Sequence, residues 1–316
     1  MANHRHRPYA VVNPAAALGE TRRMWLSLVE RLQRRIGPFP WDWTREPMEA
    51  CRLVRRALKQ DHNLIICVGG DGTLNEVVNG FFWHNSAINP SASLVVVACG
   101  SGGDFRRSLE IGACPLDALA AVTSDKVIDI DLGSIHYHPD PATRAQRFFV
   151  NVASIGVPAE VNRLLSKQPS FLGGTGRFLL ATVQALLFSK HVPVRLEIDR
   201  KERLDQFVKT IAVANGRFFG GGMQVAPQAS LDDGLLDIVV IGKVGLLDFL
   251  VWGSRFYKGR HLEHPRVNLF RAATIQASSR LSVPLQSVPV EVDGETIGML
   301  PATFEVMPTA IRLRLP

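Results

Sequence analysis

LIICVGGDGTLNEVVNGFF, residues 64–82, is the stretch from which the fold of this chain can be read. Leu64 to Val68 is wholly apolar, Gly69-Gly70-Asp71-Gly72 follows, and Thr73 to Phe82 places Leu74, Val77, Val78 and Phe81 at helical spacing. A wholly apolar run of strand length is a strand buried on both faces, which is the habit of parallel sheets covered by helices. Working outward, the pattern repeats. Tyr9 to Val12 is a short apolar strand ended by Asn13-Pro14, and Thr21 to Arg35 is a helix with Trp25, Leu28, Val29 and Leu32 on one face and Gly37 as its stop. Phe39 to Trp43 reads as a second strand, and Met48 to Lys59 as a helix with Cys51, Val54 and Leu58 inward. Leu94 to Ala98 is another buried strand, followed by Gly100-Ser101-Gly102-Gly103. Strand–helix alternation of this kind is an α/β domain with a mostly parallel sheet, and ligands of such sheets sit at the carboxyl ends of the strands. Both glycine clusters fall at those ends.

Beyond about residue 127 the texture changes. Val127 to Ile135, Arg147 to Ala153, Val194 to Ile198, Thr210 to Ala214, Leu235 to Ile241, Thr274 to Ala277 and Val288 to Val292 read as strands. Helical patterns are confined to a stretch near Gly176 to Phe188 and to Leu246 to Phe256. Many strands and few helices predict an antiparallel, β-rich, sandwich-like second domain. The expected division is 1–130 and 131–316, and the closing segment Phe304 to Leu315 is a candidate to return to the first domain.

Composition narrows the class. Of 316 residues, 46 % are hydrophobic and 21 % charged, which excludes a disordered chain. The net charge of +7 suits an anionic partner, whether nucleotide, nucleic acid or acidic membrane surface, and equally suits simple solubility. The four cysteines form no CxxC pair, so neither a disulfide framework nor a zinc site is implied and a reducing cytoplasm fits. No secretory signal is visible, and no apolar stretch approaches the ~18 residues of a membrane span. His261-Leu-Glu-His264 and the arginine pairs at 22–23, 34–35, 55–56 and 106–107 read as polar residues facing solvent, a few arginines being candidates to touch anionic lipid.

The chemistry lies in the glycine turn. Glycines allow close backbone approach to a ligand, and the free N–H groups at a helix start bind anions. Thr73 can cap the helix or donate its hydroxyl to a phosphate. Asp71 is out of place beside a phosphate unless Mg²⁺ lies between them. The bland alternative is a structural turn with Asp71 as a cap. No GxxxxGK[ST] occurs, so this is not a P-loop enzyme.

Val68-Gly-Gly-Asp-Gly-Thr-Leu-Asn-Glu-Val-Val-Asn-Gly80 resembles the nucleotide loop of the diacylglycerol kinase catalytic domain family, which includes sphingosine kinases, ceramide kinases and bacterial soluble lipid kinases. Further segments follow in the family's order: Asn13-Pro14, Gly100-Ser-Gly-Gly-Asp-Phe105, Phe219-Gly-Gly-Gly-Met223, Asp232-Asp-Gly-Leu-Leu-Asp237 and Val292-Asp-Gly-Glu295. GGDGT alone is shared with NAD kinases and phosphofructokinases; the ordered set over the whole chain is far more specific. The resemblance implies an ATP-dependent lipid kinase acting on a diacylglycerol-, sphingoid-, ceramide- or phosphatidylglycerol-like acceptor. It implies ATP contacts at Asn13, Pro14, Ala15, Ala16, Ala17, Thr44, Gly69, Gly70, Asp71, Gly72, Thr73, Leu74, Asn75, Glu76, Ser101, Gly102 and Asp104. It implies Mg²⁺ at the Asp233 carboxylate with backbone oxygens of Ser230 and Leu235, and a proton-accepting base at Asp293 or Glu295, with Asp71 as a further catalytic residue.

Alternation along an extended chain would put Asp293 and Glu295 on one face, close enough for one to make the other a better base; an Asp-Gly hairpin turn is the competing reading. The implied partners are a lipid and a membrane surface met peripherally from the cytoplasm, with no nucleic acid, and a homodimer stays open. Three departures from the family pattern stand out: Gly103 stands where Asn is usual, Pro158 where Asp is usual, and Ala15 to Ala17 where small hydroxylated residues are common. Two other readings remain: an NAD kinase-like enzyme with a soluble substrate, and a nucleotide- or lipid-binding module that has lost catalysis.

Overall fold

The computed structural model describes residues 6–99, 103–112, 116–140, 142–165, 180–181, 184–185, 189, 191–279 and 288–316. They fall into two units, one running up to Ile130 together with Thr309–Pro316, the other Asp131–Pro308. Among the described residues no helix is long and apolar enough to cross a membrane.

The first unit contains β1 (Pro8–Val12), α1 (Glu20–Ile36), β2 (Trp41–Trp43), α2 (Glu49–Lys59), β3 (Leu64–Gly69), α3 (Asp71–Gly80), the small hairpin β4 (Phe82–Trp83) and β5 (Ser86–Ala87), β6 (Ser93–Ala98), α4 (Asp104–Ser108), α5 (Asp117–Thr123) and the start of β7 (Val127–His138). The strands lie in the order β2-β1-β3-β6 and every neighbouring pair is parallel. Every residue of β3 is buried, as a central strand covered on both faces must be. Helix α1 turns Trp25, Leu28, Val29 and Leu32 into the core and ends at Gly37, whose φ of +85° breaks the helical path. Helices α2 and α3 cross closely at Gly80, where a Cβ would lie 2.6 Å from the Val54 Cβ and 2.9 Å from the Cys51 carbonyl oxygen.

The second unit continues with β8 (Ala145–Phe149), β9 (Val152–Gly156), α6 (Val157–Leu165), β10 (Val192–Ile198), β11 (Glu202–Val208), β12 (Thr210–Ala214), β13 (Phe218–Phe219), β14 (Met223–Gln224), β15 (Leu236–Ile241), α7 (Leu246–Phe256), β16 (Val267–Ala272), β17 (Thr274–Ser279), β18 (Pro289–Val292) and β19 (Glu295–Arg314). Antiparallel pairing runs β16-β15-β12-β9-β18-β19, while β10 joins β11 to β17 and β17 joins β19. The period of two explains its core. Along β12, Ile211 and Val213 enter one hydrophobic cluster with Phe149, Ile238 and Phe304, while Ala212 and Ala214 enter another with Val152 and Val239. The final residues of β19 belong with the first unit, where Arg312 lies opposite Ser93 and Leu313 opposite Leu94, parallel to β6.

The α/β unit with a parallel sheet and the β-rich unit are the fold class expected from the sequence. Individual elements differ. Arg147 to Ala153 is not one strand: it breaks at Val150-Asn151 between β8 and β9. Strand β11 carries the polar sequence ERLDQFV and lacks an apolar run, so nothing flagged it; its pairing to β10 comes from a turn at Asp199-Arg200 with both φ values positive. Helix α6 begins Val157-Pro158, with proline in the first turn, where its missing N–H costs nothing. Strand β16 was likewise not anticipated. The helical pattern near Gly176 to Phe188 lies largely outside the described residues.

Replacing Gly80 by Ala forces a methyl group into the α2–α3 crossing. Overpacking of this kind costs roughly 1–3 kcal/mol. The Gly80→Ala variant is therefore expected to unfold at a lower urea midpoint than the parent; an unchanged midpoint would show that the two helices separate freely.

Candidate active site

The carboxyl ends of β1, β3 and β6 meet within the first unit. After β1, the Asn13 N–H donates to the Val68 carbonyl at 2.9 Å, and its Oδ1 accepts from the Ala15 N–H at 3.0 Å. Asn13 Nδ2 donates to Thr73 Oγ1 at 2.9 Å, which ties the Asn-Pro turn to the glycine turn. Gly69 has to be glycine: a Cβ there would lie 2.6 Å from Thr73 Oγ1. Gly70 is the N-terminal cap of α3 in extended conformation, and its own Cβ would meet only the Cys99 carbonyl at 3.5 Å. The first turn of α3, Asp71-Gly72-Thr73, leaves its leading N–H groups without intrahelical partners, the anion-binding condition anticipated above.

Asp71 does not cap its own helix. Its Oδ2 accepts from the Asp104 N–H at 3.1 Å and its Oδ1 from the Phe105 N–H at 3.4 Å, so it holds the start of α4 beyond the second glycine loop. Asp104 is buried and accepts from Arg107 Nη1 at 2.7 Å. Gly103, just before α4, has φ +59° and ψ +38°. Glycine and asparagine are the residues that adopt this left-handed conformation most readily, so the departure from Asn keeps the backbone while removing an amide. Ser101 and Gly102 lie outside the described residues.

The remaining candidates of this unit divide by orientation. Leu74 is in the core, Asn75 is buried and accepts from Asn79 Nδ2, and Glu76 Oε2 accepts from the Ala50 N–H at 3.1 Å near the start of α2. Pro14, Ala16, Ala17 and Thr44 are half-exposed and Ala15 is exposed; the Thr44 N–H donates to the Val12 carbonyl at 2.9 Å.

In the second unit, β18 and β19 are joined by Asp293-Gly294, with φ of +45° and +92° and Val292 opposite Glu295. Positive φ at both central residues is the conformation two-residue hairpins prefer. The turn overrides the extended geometry that would have paired the two carboxylates. Asp293 folds back on the break between β8 and β9, where its carboxylate accepts from the N–H groups of Val150 (3.0 Å), Asn151 (3.1 Å) and Val152 (2.9 Å). Glu295 instead pairs with Arg147 Nη2 at 2.6 Å; its side chain is 44 % exposed and that of Arg147 12 %. Asp293 is thus engaged by three N–H donors, and Glu295 is the more accessible of the two.

Around that hairpin lies a polar network that sequence reasoning missed. Asn215, fully buried, donates through Nδ2 to the Asp131 and Val150 carbonyls at 3.0 and 2.9 Å. Asn151 Nδ2 donates to the Phe218 carbonyl at 2.5 Å. The buried Asp131 accepts from the Gly234 N–H at 2.7 Å. The available signal was a polar residue inside an otherwise apolar strand, as at Asp131 in VIDIDLG.

The loop Ser230–Leu235 was expected to hold Mg²⁺. Each oxygen of Asp233 accepts a hydrogen bond, Oδ1 from the Leu235 N–H at 3.0 Å and Oδ2 from the Arg271 guanidinium, while the Ser230 hydroxyl donates to Asp232 Oδ1 at 2.6 Å. Among the described residues no group of three or more His, Cys, Asp or Glu side chains is placed to hold an ion. Of the expected donors Asp233 is the one charged group, and the Arg271 guanidinium already meets its charge. Asp237 lies on the far side of Arg271, 1 % exposed, with no hydrogen-bond partner on either oxygen. Burial pushes its pKa up to about 6, with Arg271 pulling it down and Asp233 adding to the rise. His261 and His264 are not surface residues either: both are buried, His261 Nε2 meeting the Val225 carbonyl at 3.0 Å and His264 facing Asp248.

Comparison with known proteins places these motifs in context. Residues 7–135 match the diacylglycerol kinase catalytic domain, and residues 151–315 the YegS C-terminal NAD kinase beta sandwich-like domain. A diacylglycerol kinase of Staphylococcus carnosus is 26 % identical over 301 residues, covering 95 % of this chain and 92 % of the relative. A crystal structure of a diacylglycerol kinase from Bacillus anthracis str. Sterne superposes with a TM-score of 0.71 at 18 % identity, covering 98 % of this chain and 97 % of that one. Yeast NADH kinase superposes with a TM-score of 0.52 at 12 % identity, covering 98 % and 84 %.

Asp293→Ala would strand three backbone donors at once. Bonds to charged acceptors contribute about 1.5–3 kcal/mol each and are not additive, so a loss of roughly 2–4 kcal/mol is expected. Thermal melting should show Asp293→Ala well below the parent and Asp293→Asn between them. Parent-like melting of Asp293→Ala would mean the carboxylate is not what holds the break at Val150-Asn151.

Proposed function

Because the chain belongs to the diacylglycerol kinase catalytic domain family, carrying that domain ahead of a YegS C-terminal NAD kinase beta sandwich-like domain, we propose that it transfers the γ-phosphoryl group of ATP to a lipid hydroxyl. The observation that carries this reading is the helix start at Gly70–Thr73, whose N–H groups face an anion site braced by Asn13 on one side and by Asp71 with α4 on the other. The nucleotide phosphates occupy that site, and Mg²⁺ travels with them as part of the nucleotide substrate. The acceptor is a diacylglycerol-, sphingoid-, ceramide- or phosphatidylglycerol-like lipid, met at the cytoplasmic face of a membrane.

Phosphoryl transfer asks for position and charge more than for covalent help. The acceptor oxygen attacks the γ-phosphorus, the bond to the β–γ bridging oxygen breaks with its electron pair leaving on ADP, and the hydroxyl proton passes to a carboxylate. Glu295 is assigned as that base: it is half-exposed, and its ion pair to Arg147 fixes the side chain at the hairpin. Asp293 is assigned the supporting role of shaping the turn that presents Glu295. Asp71 is assigned to hold the start of α4 beside the glycine turn.

The test is product analysis after incubating γ-labelled ATP with a total lipid extract, with NAD in a parallel reaction. Labelled lipid is expected; labelled NADP alone would favour the soluble-substrate reading, and bound ATP without turnover would favour a binding module.

Loss of a general base typically costs about 10²–10⁴-fold in rate. Glu295→Gln is expected to lower kcat by that order at saturating ATP and lipid while ATP binding persists. A variant within a few-fold of the parent would remove Glu295 from the mechanism. Asp71→Ala should also lose activity, at least about 10-fold, with the circular dichroism spectrum of the parent retained. Undiminished turnover would reduce Asp71 to a helix cap.

A further inference from the structure

We propose that the Arg271 guanidinium is the built-in cation of the 230–237 loop, so that this loop keeps its structure without a resident divalent ion. Asp233 on the loop and Asp237 at the start of β15 lie on either side of Gly234-Leu235-Leu236, and both carboxylates turn toward one side chain. Arg271 sits on β16 directly opposite Asp237 on β15, so the strand register delivers its guanidinium to this place. Its Nη2 binds Asp233 Oδ2, and its Nε lies 3.7 Å from Asp237 Oδ1.

The two carboxylates need that charge for different reasons. Asp233 is partly open to solvent and uses the guanidinium together with the Leu235 N–H to satisfy both of its oxygens. Asp237 is buried and receives no hydrogen bond, so the nearby positive charge of Arg271 is the compensation within reach of it. An isolated buried carboxylate is strongly disfavoured, and a guanidinium, which stays protonated at any working pH, offsets it permanently. Mg²⁺ would require near-octahedral oxygen ligands at ~2.0–2.1 Å. To bind Asp233 Oδ2 it would have to share that oxygen with the Arg271 guanidinium and sit beside its positive charge. The loop is otherwise anchored through the Gly234 N–H on Asp131 Oδ2 and needs no ion for that contact.

This inference concerns the loop itself and stands or falls apart from the proposed phosphoryl transfer. An ion that binds only the folded protein raises its melting temperature with ion concentration, whereas a covalently supplied cation does not. The experiment is thermal melting of the nucleotide-free full chain in EDTA, in millimolar MgCl₂ and in NaCl of equal ionic strength. The parent is expected to melt alike in MgCl₂ and NaCl. Arg271→Gln is expected to melt roughly 5–10 °C lower, and to recover part of that loss in MgCl₂ but not in NaCl. Arg271→Lys, which keeps a charge of the same sign, should stay closer to the parent and remain indifferent to Mg²⁺. A parent melting temperature that rises with MgCl₂, the rise being abolished by Asp233→Asn, would establish a resident ion and overturn the proposal. So would Arg271→Gln melting like the parent. If Arg271→Gln does not fold, the comparison of parent, Arg271→Lys and Asp233→Asn across the three solutions decides the matter.

Discussion

Three consecutive backbone N–H groups, those of Val150, Asn151 and Val152, converge on the single carboxylate of Asp293, and the polar centre of the second unit is arranged around that convergence. A strand that would otherwise run on from Arg147 has to break there, because its N–H groups point to a side chain instead of to a neighbouring strand. The break frees the Val150 and Asn151 carbonyls, which accept from Asn215 Nδ2 and from the N–H groups of Asn215 and Gly216. Asn215 in turn holds the Asp131 carbonyl, and Asp131 holds Gly234. One acceptor thus links the β18–β19 hairpin, the β8–β9 break and the 230–237 loop by hydrogen bonds that would be costly to leave unmade in a buried setting.

The same economy governs the first unit. Asp71 and Glu76, both within the glycine-turn segment, spend their carboxylates on N–H groups near the starts of neighbouring helices, α4 and α2 respectively. An anionic side chain at a helix start is stabilised by the free N–H groups and the helix dipole. The Asp71 carboxylate, bound by N–H donors of α4, is a brace between the glycine turn and that helix. The half-exposed Glu295 differs from Asp71 and Glu76 in being paired to a guanidinium instead of to the backbone.

Much of this was legible in residue order. The apolar runs Tyr9 to Val12, Leu64 to Val68 and Leu94 to Ala98 are strands because a wholly apolar run of that length has to be buried on both faces, and the helices between them carry their apolar residues at 3.6-residue spacing. Where the pattern was weak, the reading failed. Strand β11 is polar because it lies beside β10 with little buried on its outer face, and α6 begins with a proline that reads as a breaker although it fits a first turn. Asp-Gly at 293–294 announced a hairpin, but nothing in the local sequence names the residues about 140 positions away whose N–H groups it gathers.

The sequence by itself determined the two architectures and the positions of the glycine turns, because periodicity and glycine placement act over one or two turns of chain. Only the tertiary structure decided what each acidic residue does. Asp71, Asp233, Asp293 and Glu295 are alike as letters, each being a carboxylate beside a glycine. They became a brace for α4, a partner of Arg271, an acceptor for three N–H groups and a part-buried ion pair with Arg147. The reason is physical: a carboxylate's role is set by the donors and charges that reach it, and those come from strands and helices far away in the chain, delivered by register and packing.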